Sequence, residues 1–263
     1  MYNLFVFLKD TADSRTGRPK NQNNLLALLL MKRVIFIVIL SCTAVHLRSQ
    51  DILNLQASSG VAIPLGRIAS GNVQDSAAGY ASTGGMLSFR MGIKPFKYIG
   101  FVFNGGLGML PINTNSIKQE VYVQNGITQE PVANNYRFGY ASGGLMFAYR
   151  PPVKDKWILD AAITSGYIWN EMPDISVTQG GTIYYKSYMS YGGGWMISAN
   201  FSFRFRIYKS LYIGSGLEYL YARPHFTNLI VEQRVAGNTT TQQNTFTQNM
   251  SIIYLSGQLG VTF

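Results

Sequence analysis

The chain has 263 residues, of which 47% are hydrophobic, 13% aromatic and only 13% charged, with a formal net charge of +10. Soluble domains carry about 25% charged residues, so this composition excludes a disordered chain and disfavours an ordinary cytosolic enzyme. The basic residues form no run, which disfavours nucleic acid as a partner.

The first 49 residues have the three-part order of a secretory signal peptide. Met31-Lys32-Arg33 is a short positive segment, residues 34–40 are apolar, and residues 41–49 are small and polar. The apolar run is too short to cross a bilayer as a helix, which takes about 20 residues. We predict cleavage near Ser49-Gln50, an extension and signal over residues 1–49, and one domain over residues 50–263.

The position of the true start has more than one interpretation. We hypothesise that Met31 is the initiator and that residues 1–30 belong to an over-extended reading frame; one long signal peptide is the alternative. A third interpretation is a lipoprotein box at residues 39–42, although its apolar stretch would be unusually short. Cys42 is the only cysteine and His225 the only histidine after residue 49. We therefore expect no disulfide, no metal site built from Cys and His, and no cofactor.

From residue 51 onward apolar and polar residues alternate with a period of two, which is typical of half-exposed strands. The clearest stretch is 197–207, where Phe201, Phe203 and Phe205 alternate with Ser202, Arg204 and Arg206. No window sustains a helical apolar stripe, so the sequence predicts an all-β domain. The eight predicted strands are 53–63, 79–94, 98–110, 136–150, 157–170, 188–207, 211–227 and 246–263.

The predicted connections alternate between short and long. Three short turns lie at 95–97, 151–156 and 208–210, and four long polar loops lie at 64–78, 111–135, 171–187 and 228–245. With an even strand number, both termini and all the short turns fall at one end. This is the layout of an up-and-down transmembrane β-barrel with short periplasmic turns and long extracellular loops.

The chemistry of the polar face distinguishes a membrane barrel from a soluble one. The outer face of a soluble barrel would be rich in Lys and Glu, but this polar face is mainly Gly, Ser, Thr, Asn and Tyr. Eight strands leave an interior that side chains just fill, so inner glycines such as Gly106 have a packing role and an open pore is not expected. We predict that the few charges on this face form a lumenal cluster: Arg90, Asp160, Arg204, Arg206 and Glu218.

The spacing of aromatic residues gives an independent estimate of the height of the membrane-spanning band. Trp157 and Trp169 lie twelve residues apart on one face of one strand, a rise of about 28 Å at a tilt of about 45°. The apolar band of such barrels is about 25 Å tall and has aromatic girdles at both rims. The predicted girdle residues are Trp157, Trp169, Trp195, Tyr98, Tyr149 and Tyr221, and by position along the strands also Tyr140, Tyr212 and Phe226.

Three segments carry a resemblance to a known family: GVAIPLG at 60–66, GYASTGG at 79–85 and LSGQLGVTF at 255–263. Together they resemble the small eight-stranded OmpX/OmpA-like outer-membrane barrels of Gram-negative bacteria. The resemblance implies a location in the outer membrane with both termini periplasmic, in contact with outer-membrane lipid and lipopolysaccharide. It also implies an assembly signal read by the barrel-assembly machinery, formed by Leu255, Leu259, Val261 and Phe263. The family shares architecture more than activity.

The sequence leaves three functional hypotheses. The first is a non-enzymatic structural or surface-interaction protein whose four long loops contact an extracellular ligand or other envelope components. The second is a lipid-modifying hydrolase or acyltransferase that uses His225, although no serine can be assigned to it and a single histidine at a rim is usually a solvated residue. The third is a narrow channel for small solutes. Asp160 and Glu218 could be viewed as a catalytic pair, but lumenal ion pairing accounts for them more simply.

Overall fold

A computed structural model of the chain describes residues 52–71, 78–125, 130–151, 156–179, 182–188, 190–235 and 238–263. The predicted signal peptide, including Met31 and Cys42, lies outside these residues. In chain order the strands are β1 (Leu53–Leu65), β2 (Gly84–Ile93), β3 (Ile99–Leu110), β4 (Val132–Ala133), β5 (Tyr136–Tyr149), β6 (Trp157–Met172), β7 (Ile175–Gln179), β8 (Thr182–Ser187), β9 (Ser190–Tyr208), β10 (Leu211–Ala222), β11 (His225–Val235), β12 (Asn238–Thr247) and β13 (Met250–Thr262). A 3-10 helix spans Gly66–Ala69, and the helix α1 spans Thr114–Asn125.

Eight of these strands form a closed antiparallel barrel. The order around the wall is β1, β2, β3, β5, β6, β9, β10 and β13, and β13 pairs again with β1. The seam between β1 and β13 runs from the pair Asn54–Thr262 to the pair Leu65–Ser251. Because every wall strand has two neighbours, the wall has no free edge. The predicted all-β fold with eight strands is confirmed.

The two ends of the barrel differ in the length of their connections. The turns between β2 and β3, β5 and β6, and β9 and β10 are short, and they lie at the same end as residue 52 and Phe263. We call this the turn end, and the opposite end the loop end. The described parts of the long connections are more ordered than the sequence predicts: they contain α1, the strands β4, β7 and β8, and the β11–β12 hairpin.

Local chemistry explains where the elements depart from the prediction. Asn113 Oδ1 accepts a hydrogen bond from the Ser116 amide at 3.3 Å, which is the N-cap geometry that starts α1. The second strand begins at Gly84 and not at residue 79, because Tyr80 has a left-handed φ of 52°. The predicted strand 211–227 ends at Ala222, because Pro224 cannot donate a hydrogen bond to a sheet. Within the described residues, no helix is both long and apolar enough to cross a membrane.

The outer face of the barrel wall is apolar over most of its height. Phe201 is 52% exposed on this face, while Arg204 on the same strand is 1% exposed inside. Arg137 and Glu171 are the only charged residues at outward positions of the eight described wall strands, and their side chains pair with each other at 3.9 Å near the loop end. The other large exposed residues of the wall include Leu87, Phe89, Phe101, Phe103, Leu107, Leu145, Phe147, Ile163, Ile197, Ile213, Leu217, Leu255 and Leu259.

A charge placed at the middle of this face should destabilise the barrel. Ile163 lies midway between Trp157 and Trp169 on β6 and is 68% exposed. We expect Ile163→Arg to lower the free energy of unfolding in lipid vesicles by about 2–4 kcal/mol, because the guanidinium would sit at the bilayer midplane. Urea titration followed by tryptophan fluorescence measures the change.

The matched control is Ile207→Arg on β9, which is also outward and exposed but lies beside the turn end. Near an interface the same substitution should cost only about 0–1 kcal/mol. Equal losses of stability at the two positions would mean that the apolar face does not meet lipid.

Candidate functional site

The lumen is the first candidate for a site, and its charged residues lie there together. Arg204 forms an ion pair with Asp160, and both side chains are buried. Arg204 Nη1 also donates to Asn54 Oδ1 at 2.7 Å, and Ser202 Oγ donates to Asp160 Oδ2 at 3.4 Å. The pair therefore joins β6, β9 and β1 across the barrel, close to the turn end.

The other charged residues of the predicted cluster divide into two groups. Arg90 Nε donates to Asn104 Oδ1 at 3.0 Å, and Glu218 is buried on the inward face of β10. Arg206 lies apart from them at the turn end, where its Nε and Nη2 atoms donate to Tyr212 Oη at 2.8 and 2.6 Å. Arg150 Nη2 donates to the same oxygen at 3.3 Å.

Tyr212 is a residue of this network that the sequence analysis placed wrongly. It is fully buried, and the Arg204 and Arg206 guanidinium groups lie 5.7 and 5.3 Å from the centre of its ring. The alternation along β10 indicates that Tyr212 faces inward, because Tyr212 shares the parity of Gly214 and Glu218 on the inward face. Its phenol accepts hydrogen bonds from Arg206 on β9 and from Arg150, which follows β5.

The loop-side half of the lumen is filled with apolar side chains, and the sequence analysis did not predict this. We call this group the plug: Ala62, Ile68, Ala81, Met86, Leu110, Tyr136, Phe138, Tyr140, Ile168, Met196, Leu220, Ala222, Met250, Ile252 and Tyr254. Every member is at most 5% exposed. The signal was present in sequence: near the loop end, stretches such as Met196-Ile197 and Ile252-Ile253 are apolar at both parities, which is typical of strands buried on both faces.

Two glycines of β3 make room for the rings of the plug. A side chain at Gly106 would overlap the Tyr140 ring, and one at Gly108 would overlap the Phe138 ring. The Tyr254 hydroxyl donates to the Met86 carbonyl at 3.1 Å, which satisfies a polar group in apolar surroundings. Tyr140 is thus an inward residue, and its assignment to the girdle is wrong.

The remaining predicted girdle residues divide between the rims and the interior. Tyr98 and Tyr149 are exposed near the turn end, where the Trp157 ring packs 4.5 Å from Phe203. Trp169, Trp195 and Tyr221 are exposed near the loop end. Phe226 is fully buried, because it shares the inward parity of Ala222, and its assignment to the girdle is wrong.

His225, the weak catalytic candidate, is exposed at the first position of β11. Its Nδ1 atom lies 2.9 Å from Thr247 Oγ1 on β12. None of the hydrogen bonds found among the described residues joins His225 to a serine or a carboxylate. Within the same residues, no group of three or more His, Cys, Asp or Glu side chains is placed to hold a metal ion.

The C-terminal residues of the predicted assembly signal lie on β13 and beyond it. Leu255 and Leu259 are exposed on the outer face, Val261 is partly exposed there, and Phe263 is 66% exposed. The Phe263 carbonyl accepts hydrogen bonds from the amides of Ile52 and Leu53 at 2.7 and 3.1 Å. These bonds fix the last residue at the seam of the barrel.

Beyond the loop end, five strands form what we call the projecting sheet, in the order β4, β7, β8, β11 and β12. It joins the wall through β11, which pairs with β9 at His225 and Phe226. Lys186 lies opposite Glu232, and the Tyr188 hydroxyl donates to Glu232 Oε2 at 3.0 Å. The β12 strand carries no charge, and nearly all of it is exposed.

A closed eight-stranded wall, an apolar outer face and a filled lumen define a class of protein. Strands cross a bilayer only as closed barrels of this kind, and the resemblance to the small outer-membrane barrels is confirmed. The chain therefore has the fold of an outer-membrane β-barrel protein.

Comparison with known proteins adds solved structures of the same kind. No family model and no curated protein matches the sequence. Neisserial surface protein A is 11% identical, with a TM-score of 0.42, covering 80% of this chain and 97% of that one. A major outer membrane protein from Thermus thermophilus is 9% identical, with a TM-score of 0.46 over 80% of this chain and 99% of that one. The outer membrane protease OmpT from Escherichia coli is also 9% identical, with a TM-score of 0.46, covering 83% of this chain and 99% of that one. Such likeness concerns the fold and leaves the activity of this chain open.

Proposed function

We propose that this protein is non-enzymatic and acts by surface interaction, with the projecting sheet as its contact surface. In this proposal the turn end and both termini face the periplasm, and the loop end faces outward. The observation that carries the proposal is the contrast between a filled lumen and an ordered polar sheet beyond the rim. The exposed C-terminal strand would serve the assembly machinery.

The lumen favours a structural role over transport. Its loop-side half is occupied by the plug, and its charges pair with one another or with amides and hydroxyls. A solute would have to displace large apolar side chains to pass. The interior of an eight-stranded barrel is just wide enough for side chains to fill it.

The projecting sheet is held rigidly enough to present a defined surface. The Gln248 amide donates to the Pro224 carbonyl at 3.1 Å, which ties the two strands of the β11–β12 hairpin together where they leave the wall. The buried Phe226 ring stacks on Phe246 with centroids 5.1 Å apart. Binding residues on a rigid support lose little conformational entropy when they bind. The Thr, Asn and Gln side chains of β12 offer uncharged donors and acceptors, which suit polar ligands such as glycans.

Truncation of the hairpin tests the proposal. In the test variant an Asn-Gly turn replaces residues 229–244. Leu229 and Asn244 are opposite each other in the hairpin, so the deletion shortens both strands equally and keeps the Phe226–Phe246 contact closer to the wall. Bacteria that display the intact protein should bind at least one component among a glycan array, immobilised matrix proteins and lipopolysaccharide. The truncated protein should assemble normally, as shown by heat-modifiable migration on gels, and should lose that binding.

The control variant is Lys209→Gln, which alters an exposed charge at the turn end. Full binding by the truncated protein, or no binding by the intact one, would contradict the proposal. The non-enzymatic part is tested by mass spectrometry of lipid A from cells with and without the protein. A modified lipid A species that disappears in His225→Ala would establish enzymatic activity in its place.

A further inference from the structure

The projecting sheet has two outer edges of very different length. At one edge β4 has only two residues, Val132–Ala133, and at the other β12 has ten, Asn238–Thr247. Among the described residues, β12 pairs with β11 and with no other strand. The side of β12 that faces away from β11, which we call the β12 edge, therefore presents backbone amides and carbonyls that no other described strand covers.

The β12 edge lacks the features that usually keep such edges from pairing. Edge strands are commonly short, bulged, or interrupted by Lys or Pro. The β12 strand contains no charged residue and no proline, and every residue of it except Phe246 is exposed. The register shift of the hairpin lies near the wall, and pairing is regular from Leu229–Asn244 to Val235–Asn238. An uncharged strand about 30 Å long is a ready template for another strand.

The side chains of β12 are compatible with those of a second copy. In an antiparallel pair, residues directly opposite each other are either both hydrogen-bonded or both not. Two copies of one edge, related by a two-fold axis, must therefore place residues of equal parity opposite each other. The central pair is then Gln242 with Gln242, or Gln243 with Gln243, of the second copy. Thr245 comes to lie opposite Thr239 or Thr241, and threonine pairs are favourable across strands.

The strand behind the β12 edge adds no net charge from its acidic and basic residues. Glu232 and Arg234 of β11 have opposite charges and lie opposite Thr241 and Thr239. The Glu232 carboxylate accepts a hydrogen bond from the Tyr188 hydroxyl at 3.0 Å. Neither β12 nor β11 therefore carries an excess of one charge that would repel another copy of this sheet.

We infer that the β12 edge binds the β12 edge of a second copy of this chain, in an antiparallel pair related by a two-fold axis. The same strand contributes both sides of the interface, which joins the two projecting sheets into one continuous sheet. The inference deepens the proposed function and rests on it for the outward orientation of the loop end. It assigns a partner to the backbone edge of the projecting sheet.

Antiparallel pairing places the two barrels at opposite ends of the joined strands. Thr247 lies beside the wall, because it pairs with His225, which also pairs with Gly193 on β9. Asn238 lies at the tip of the hairpin, opposite Val235. The second copy runs in the other direction, so its barrel lies beyond the tip of the first. This arrangement suits copies in two membranes that face each other.

The test is sedimentation equilibrium of the full-length folded protein in density-matched detergent. The natural protein should form dimers. The variant Gln242→Glu with Asn244→Glu should weaken the dimer about tenfold, because like charges then meet across the axis in either register. Gln242→Lys with Asn244→Lys should weaken it equally. A mixture of the Glu and Lys variants should recover the dimer, because opposite charges then meet, and a misfolded hairpin would not recover in this way.

The control variant is Val132→Glu, which adds a charge at an exposed position of the opposite edge and should leave the dimer unchanged. A natural protein that stays monomeric, an undiminished dimer in the Glu variant, or a mixture without recovery would overturn the inference. An equal loss in Val132→Glu would also overturn it. Dissociation of the dimer by an unrelated uncharged strand-forming peptide would overturn the assignment to a second copy.

Lipid vesicles test the facing arrangement. Vesicles with the Glu variant and vesicles with the Lys variant, labelled with different dyes, should cluster with each other and much less with themselves. Dimers in detergent without any clustering of vesicles would overturn the facing arrangement.

Failure of this inference is distinguishable from failure of the proposed function. The proposed function is measured as binding of glycans, matrix proteins or lipopolysaccharide, and the inference as association of two copies. Dimers without any such binding would keep the inference and contradict the proposed function. Binding by a protein that stays monomeric would do the reverse.

Discussion

Replacing Asp160 with Asn is expected to destabilise the folded barrel by about 3–5 kcal/mol. The substitution leaves the Arg204 guanidinium, which is 1% exposed, without its carboxylate in the lumen. Removing one partner of a buried ion pair has a large cost because the remaining charge stays desolvated. Urea titration of the protein folded into lipid vesicles, followed by tryptophan fluorescence, measures the loss.

Two further variants establish that the ion pair is the cause. The double variant Asp160→Asn with Arg204→Met should recover most of the stability, because neither buried charge remains. Glu171→Gln is the matched control, since it breaks the Arg137 pair at the exposed outer rim and should cost at most about 1 kcal/mol. A single Asp160→Asn variant as stable as the natural protein would show that Arg204 is not held by this carboxylate.

Replacing three rings of the plug with serine is expected to convert a silent protein into a conducting one. The variant combines Phe138→Ser, Tyr140→Ser and Tyr254→Ser, which removes three of the largest inward side chains from the loop-side half of the lumen. An apolar constriction excludes ions by dewetting, and serine hydroxyls would let water enter. Planar bilayer recordings should show flat traces for the natural protein and discrete steps for the variant.

The control variant removes three rings of similar size from the outer face: Phe89→Ser, Phe103→Ser and Phe147→Ser. These residues face lipid, so the traces should stay flat. Conductance by the natural protein would mean that a continuous water path already exists. Flat traces for the plug variant, with assembly intact, would mean that another part of the lumen is the barrier.

The two halves of the lumen contain different kinds of side chain. The turn-side half contains the Arg204–Asp160 pair and the arginines at Tyr212, which tie distant strands together. The loop-side half contains the plug, which fills the interior with apolar side chains. In the proposed function, contact with other molecules is therefore assigned to the projecting sheet outside the barrel wall.

Two features of the site could be predicted only in part. The five lumenal charges follow from parity along their strands, and all of them lie inside. Their pairing does not follow, because Asp160 and Arg204 meet only through the register of β6 against β9 and the side-chain reach across it. Distance along a strand predicts the height of an aromatic residue but not the face on which it lies, so the predicted rim positions of Tyr140, Tyr212 and Phe226 are wrong.

The amino-acid sequence by itself determined the closed eight-stranded wall, the apolar outer face and the division into a turn end and a loop end. It could do so because a strand inside a bilayer has one strict period, and a slip of one residue would expose every polar side chain to lipid. Only the tertiary structure decided which apolar side chains meet inside the lumen to form the plug, and that the long connections form a sheet. Those features depend on which strands become neighbours and in what register, and contacts between distant residues leave no periodic trace in a single chain.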